Sequence, residues 1–110
     1  MVILVDKKVS EEQIKLAAED YFGEYIKIVV DIESKMMAIG GEWHADGEKI
    51  LLANGCHQAN LWGGGLRLVN KQIDFNSLIN TRPGFNNSQE IVDPKIREIF
   101  EKFVKIKFEL

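Results

Sequence analysis

Gly40-Gly41-Glu42-Trp43-His44-Ala45-Asp46 is the stretch on which the reading of this chain turns. Two glycines loosen the backbone, and two carboxylates then alternate with an imidazole. Read as extended chain, Glu42, His44 and Asp46 share one face of a strand. The flanks favour that reading. Tyr25 to Ile32 alternates as a strand, with Ile26, Ile28, Val30 and Ile32 on one face and a mixed set, Tyr25, Lys27, Val29 and Asp31, on the other. Glu33-Ser34-Lys35 makes a tight connection, and Met36 to Gly40 returns as the second arm of a hairpin. Gly40-Gly41 then bulges that arm just before the acidic cluster.

Downstream, Ile50 to Ala53 is too short an apolar run to separate strand from helix, and Asn54-Gly55 behind it favours a hairpin turn and a strand. Leu61 to Val69 reads as a strand interrupted by Gly63-Gly64-Gly65. Ile73 to Ile79 pairs with it through Asn70-Lys71-Gln72. Upstream, Val2 to Val5 forms a short strand. A helix over 11–22 comes next, with Ser10 and Gln13 as a capping box and Val9 and Ile14 as a hydrophobic staple. Ile14, Ala17, Ala18, Tyr21 and Phe22 line its apolar stripe, and Gly23 ends it. Asp93-Pro94 opens a second helix buried through Ile96, Ile99, Phe100, Phe103 and Val104. Ile106, Phe108 and Leu110 then alternate as an extended tail. The expected order is β-α-β-β-β-β-β-α: an α+β domain, mainly antiparallel, of five to six short strands with two amphipathic helices packed on one face.

The 110 residues suit a single domain, 1–110, able to bury a core without disulfides. No apolar run is long enough to span a bilayer, no signal peptide is evident, and the lone Cys56 fits a reducing cytoplasm. Abundant Lys, Glu and Ile suggest a thermophile, against which stand seven asparagines. A net charge of -3 argues against a nucleic-acid surface. All the asparagines lie between Asn54 and Asn87, and eight of the nine glycines between Gly40 and Gly84. Such a turn-rich, charge-poor segment between regular flanks is where binding chemistry tends to sit.

Three groups of residues offer chemistry. Glu42, His44 and Asp46 could act in acid–base work, or His44 and Asp46 could join His57 as a metal site. The plainer reading has His44 closing a turn and Asp46 capping the segment after it. Trp62 beside Gly63-Gly64-Gly65 could flank a ligand or an anion-cradling turn, or simply pack in the core. The P-loop lysine and the dinucleotide fingerprint are absent. Arg82, with Asn80, Asn86 and Asn87 nearby, could bind a carboxylate or phosphate, or pair internally with Glu42 or Asp46. Ser77 lacks a nucleophile elbow, and Cys56 and His57, as neighbours on a strand, would point apart.

Gly-Gly-Glu-x-His-Ala-Asp, Leu61-Trp62-Gly63 and Ser77-Leu78-Ile79-Asn80-x-Arg82-Pro83, ending in an Asp-Pro helix, resemble a domain-of-unknown-function family of small stand-alone archaeal and bacterial proteins. The resemblance implies no activity. It marks Glu42, His44, Asp46, Trp62, Asn80 and Arg82 as motif positions, and suggests that Arg82 completes a polar network with the acidic cluster. The family pattern does not require Cys56-His57, and its usual Trp-Gly-x-Asn departs from the longer glycine run here.

The leading expectation is a cytoplasmic binding or interaction domain without cofactor. It would take a small polar or anionic ligand near Glu42, His44, Asp46, Trp62, Asn80 and Arg82, or associate with itself as a homo-oligomer. The incomplete catalytic set weighs against an enzyme. The alternatives are a metal-dependent or acid–base enzyme using Glu42, His44 and Asp46, and an RNA-binding accessory protein using Trp62 and Arg67.

Overall fold

A computed structural model describes all residues, 1–110. The chain runs β1 (Ile3–Val5), α1 (Glu11–Ala18), β2 (Tyr25–Asp31), β3 (Met37–Ile39), α2 (His44–Ala53), β4 (Leu61–Arg67), β5 (Gln72–Asp74) and α3 (Pro94–Phe108). Short 3-10 turns occupy Glu19–Tyr21, Gln58–Asn60 and Leu78–Asn80. The five strands form one antiparallel sheet in the order β1-β3-β2-β4-β5. The α+β class is therefore as expected, but there are three helices rather than two.

The first and last helices follow their end signals. The Ser10 hydroxyl accepts from the Gln13 amide at 3.1 Å, and the Gln13 side chain accepts from the Ser10 amide at 3.0 Å. Regular α1 ends at Ala18, short of the expected Phe22, and the chain turns out through Phe22 and Gly23 at positive φ. At α3, the Asp93 carboxylate accepts from the Lys95 amide at 2.8 Å, with Pro94 at the first helical position. The tail is not extended. Helix α3 continues to Phe108, because Ile96, Phe100, Val104 and Phe108 make one buried stripe at i, i+4 spacing. The alternation of Ile106, Phe108 and Leu110 coincides with the end of that stripe; Ile106 is exposed.

Both faces of the sheet are covered. Ile26, Ile28, Val30, Trp62 and Leu66 pack with Ala17 and Ala18 of α1 and with Phe100 and Val104 of α3 in one core. On the opposite face, Val29, Ala38 and Leu61 pack with Leu51 of α2 and with Cys56. The extra helix comes from the stretch expected to be a strand: His44 to Ala53, including Ile50 to Ala53, is α-helical. Gly47 explains its close approach. A Cβ there would lie 3.0 Å from Val29 Cγ2 and 3.4 Å from Ala38 Cβ, so a larger residue would make the Val29 side chain give by a few tenths of an ångström.

Nor do the three glycines interrupt β4. Its register with β2 runs unbroken from Tyr25↔Arg67 to Asp31↔Leu61. Each glycine makes room for a side chain. A Cβ at Gly64 would strike the Phe100 ring and the Asp74 carbonyl, at Gly65 the Tyr25 ring, and at Gly63 the Ser77 side chain. The anion-cradling turn is excluded by this flat, paired backbone. Strand β5 stops at Asp74 instead of reaching Ile79. The Asp74 carboxylate accepts from the Asn76 amide at 3.1 Å and bends the chain, and the Ser77 hydroxyl accepts from the Ile79 amide at 3.2 Å to start a 3-10 turn.

Candidate functional site

A cleft of about 300 Å³ opens on the α2 face of the sheet. Lys27 of β2 supplies its base. Trp43, His44 and Ala45, at the start of α2, form one wall, and residues 76–79 form the other. The start of α2, whose His44 and Ala45 line the cleft, carries a partial positive charge; of its first-turn amides, that of Asp46 donates to the Trp43 carbonyl.

His44 is fixed by the sheet beneath it. Its Nε2 lies 2.6 Å from the Gly64 carbonyl, which can only accept, so Nε2 carries the proton and donates. Nδ1 is left as a lone-pair acceptor with no partner in the chain. Burial holds the imidazole below the ordinary histidine range, and the nearby Lys27 ammonium pushes the same way against the opposing Gly64 hydrogen bond. His44 is accordingly neutral at pH 7. With Nε2 committed to Gly64, that nitrogen is not free to activate the Ser77 hydroxyl.

Lys27 has the most unusual surroundings. Its ammonium lies 5.0 Å from the centroid of the Tyr21 ring and 5.9 Å from that of Tyr25. No carboxylate pairs with it; the chain's ion pairs engage other groups. The Asp74 carboxylate accepts the Tyr25 hydroxyl at 2.7 Å, and burial, reinforced by this bond, pushes the Tyr25 phenol up. Tyr21 is held in turn, its hydroxyl donating to the Glu42 carbonyl at 2.9 Å.

The six residues singled out from sequence do not form one cluster. Only His44 lines this cleft. Glu42 is exposed, and Asp46 caps α2, its carboxylate accepting from the Trp43 amide at 3.1 Å. That is the capping role considered for Asp46, placed at the helix start. Trp62 is buried against the opposite core. Asn80 is fully buried: its side-chain oxygen accepts from the Gly63 amide at 2.8 Å, and its nitrogen faces the carbonyls of Gly63, Phe75 and Gln89 at 2.9 to 3.1 Å.

Arg82 points neither at Glu42 or Asp46 nor into the cleft with His44. Its guanidinium stacks on Trp62, 3.9 Å from the ring centroid, and donates to the carbonyls of Gln58, Ala59 and Leu61. The expected network between Arg82 and the acidic cluster is therefore replaced by a backbone clamp. The metal set His44, Asp46 and His57 is likewise not assembled: no three His, Cys, Asp or Glu side chains are grouped to hold an ion. His44 is the first residue of α2, a helix about 15 Å long, and His57 lies beyond its far end. Cys56 is buried, its thiol 3.7 Å from Met36 Sδ, and burial and Asp31 push it up, away from reactivity.

Lys27 was the residue missed. Its signal was a lysine in the middle of the most apolar strand, on the face already read as mixed.

The fold and the cleft define a small α+β domain with helices on both faces of an antiparallel sheet and, on the α2 face, a cleft holding one lysine. The chain belongs to a family described as Protein of unknown function (DUF5674), whose model matches residues 3–107. This bears out the family resemblance. No curated protein and no solved structure matches it. No helix is long and apolar enough to cross a membrane.

Proposed function

We propose that this protein binds a small ligand carrying a carboxylate or phosphate, in the cleft between the start of α2 and residues 76–79. The observation that carries this reading is Lys27. A lysine is kept on a central strand, over two tyrosine rings and without a carboxylate partner. The ammonium contributes no ion pair to the fold, so its free charge is available to an incoming anion. The α2 amides, the Ser77 hydroxyl and the lone pair on His44 Nδ1 supply neutral hydrogen-bonding groups around it. Among the residues expected to bind the ligand, His44 keeps that role; Asn80 and Arg82 support it by holding the second wall and the strand end.

The test is thermal unfolding in a panel of small carboxylates and phosphates, on wild type and Lys27→Gln. A ligand at a hundred times its Kd stabilises by about 2.7 kcal/mol, a shift of several degrees in a domain of this size. The wild type should show it and Lys27→Gln should not, with similar unfolding temperatures in the absence of ligand. No shift with any anion, or equal shifts in both proteins, would refute the reading.

A further inference from the structure

The cleft is chemically graded from base to mouth, and the gradient narrows the ligand class. At the base are the Lys27 ammonium, His44 and the buried Ser77. At the mouth, two large apolar side chains stand on opposite walls: Trp43 from the start of α2, 61% exposed, and Leu78 from the 3-10 turn, 68% exposed. They come from separate elements, and the chain's own apolar groups cover neither. Ser10 and Asp93 cap the other two α-helices through side-chain oxygens, whereas α2 begins with an indole that cannot accept a hydrogen bond. Trp43 is thus a poor residue for the cap and a good one for a flat wall.

We propose that the ligand is a planar aromatic acid, bound head-first, with its anionic group at Lys27 and its ring between Trp43 and Leu78. This inference rests on the anion-binding reading above and adds the body of the ligand to its head. A flat ring presents a face to the indole and gains stacking that a puckered aliphatic ring gains less of. A polyhydroxylated ring fits less well, because the mouth is apolar and the Asn76 amide on that wall already donates to the Glu90 carboxylate at 3.0 Å. The volume of about 300 Å³ suits one or two fused rings.

The experiment compares acetate, cyclohexanecarboxylate, benzoate, 1-naphthoate and glucose 6-phosphate by calorimetry, with the two indole N–H signals followed by NMR. Benzoate and naphthoate should bind wild type at least about threefold more tightly than cyclohexanecarboxylate, the scale of one aromatic contact. They should move the Trp43 indole signal and leave that of buried Trp62 in place. In Trp43→Ala, whose fold is checked by circular dichroism, the aryl preference should vanish while acetate affinity persists. Equal affinity of all the carboxylates, each lost in Lys27→Gln, would overturn the aromatic class and leave the anion site standing. Tighter binding of glucose 6-phosphate than of any aryl acid would also overturn it. Absence of binding by every probe would overturn both.

Discussion

Asn80→Ala should be among the most damaging single substitutions in this protein. The side chain is fully buried and serves four backbone groups: the amide and carbonyl of Gly63 and the carbonyls of Phe75 and Gln89. It ties the middle of β4 to the segments on either side of the cleft's second wall. Alanine leaves these groups without partners in a place where water has no ready access. Each buried orphan costs about 1–3 kcal/mol. The carbonyls share two hydrogens in the native state, and local relaxation recovers part of the loss. An expected total is about 3–5 kcal/mol, against the ~5–15 kcal/mol that a domain of this kind has. Asn80→Asp is the sharper companion. It keeps the shape and can still accept from Gly63, but it turns an oxygen toward three carbonyls and buries a charge, so it should be at least as damaging at neutral pH and recover partly in acid. Urea unfolding followed by circular dichroism measures both. The midpoint should fall sharply with the slope retained. An Asn80→Ala protein within about 0.5 kcal/mol of wild type would refute the reasoning and return Asn80 to the list of ligand-binding candidates.

Three further outcomes are expected. Arg82→Lys should cost about 1–3 kcal/mol, because an ammonium cannot span three carbonyls while stacking on Trp62; urea midpoints equal to wild type would contradict the clamp. Gly64→Ala should destabilise by more than about 2 kcal/mol through its clash with Phe100 and the Asp74 carbonyl, and a soluble protein of native stability would rule out the close approach. His44 should titrate below 6.5, its ordinary value, by proton NMR. The unfolded chain then takes up the proton first as pH falls. The stability contributed by the neutral form is complete above 6.5 and is lost as pH drops through the folded-state value. His44→Gln should flatten the stability profile as pH falls below 6.5, and an unchanged slope would count against the buried neutral imidazole.

Helices α1 and α3 were legible because their signals are local: a serine or aspartate cap, an apolar stripe, a glycine or proline at the right end. Helix α2 was not, because its local signals point the other way. It has no oxygen-bearing cap residue at Trp43, and Gly47 in its first turns costs about 1 kcal/mol relative to alanine. What favours it is tertiary: Leu51 packs with Val29, Ala38 and Leu61, and Gly47 lets the helix lie close to Val29 and Ala38. The same holds for Gly63-Gly64-Gly65, which read as a break in a strand and proved to be three close approaches within one. Once residues 44–53 form a helix, the alternation that put Glu42, His44 and Asp46 on one face is lost. Asp46 turns back to cap, and His44 turns down to Gly64. Arg82 turns inward, but not to Glu42 or Asp46; its partners are carbonyls, which a sequence does not mark. The cationic half of the candidate site was visible only as a lysine out of place in β2.

The central claim is that an anion seats on Lys27 at the start of α2. The most direct measurement is a ¹⁵N NMR titration with benzoate and with inorganic phosphate. The account predicts that the largest saturable shifts fall on Lys27, His44, Ala45 and Ser77, and that they disappear in Lys27→Gln. Shifts confined to the exposed lysines of α3, or none that saturate, would contradict it.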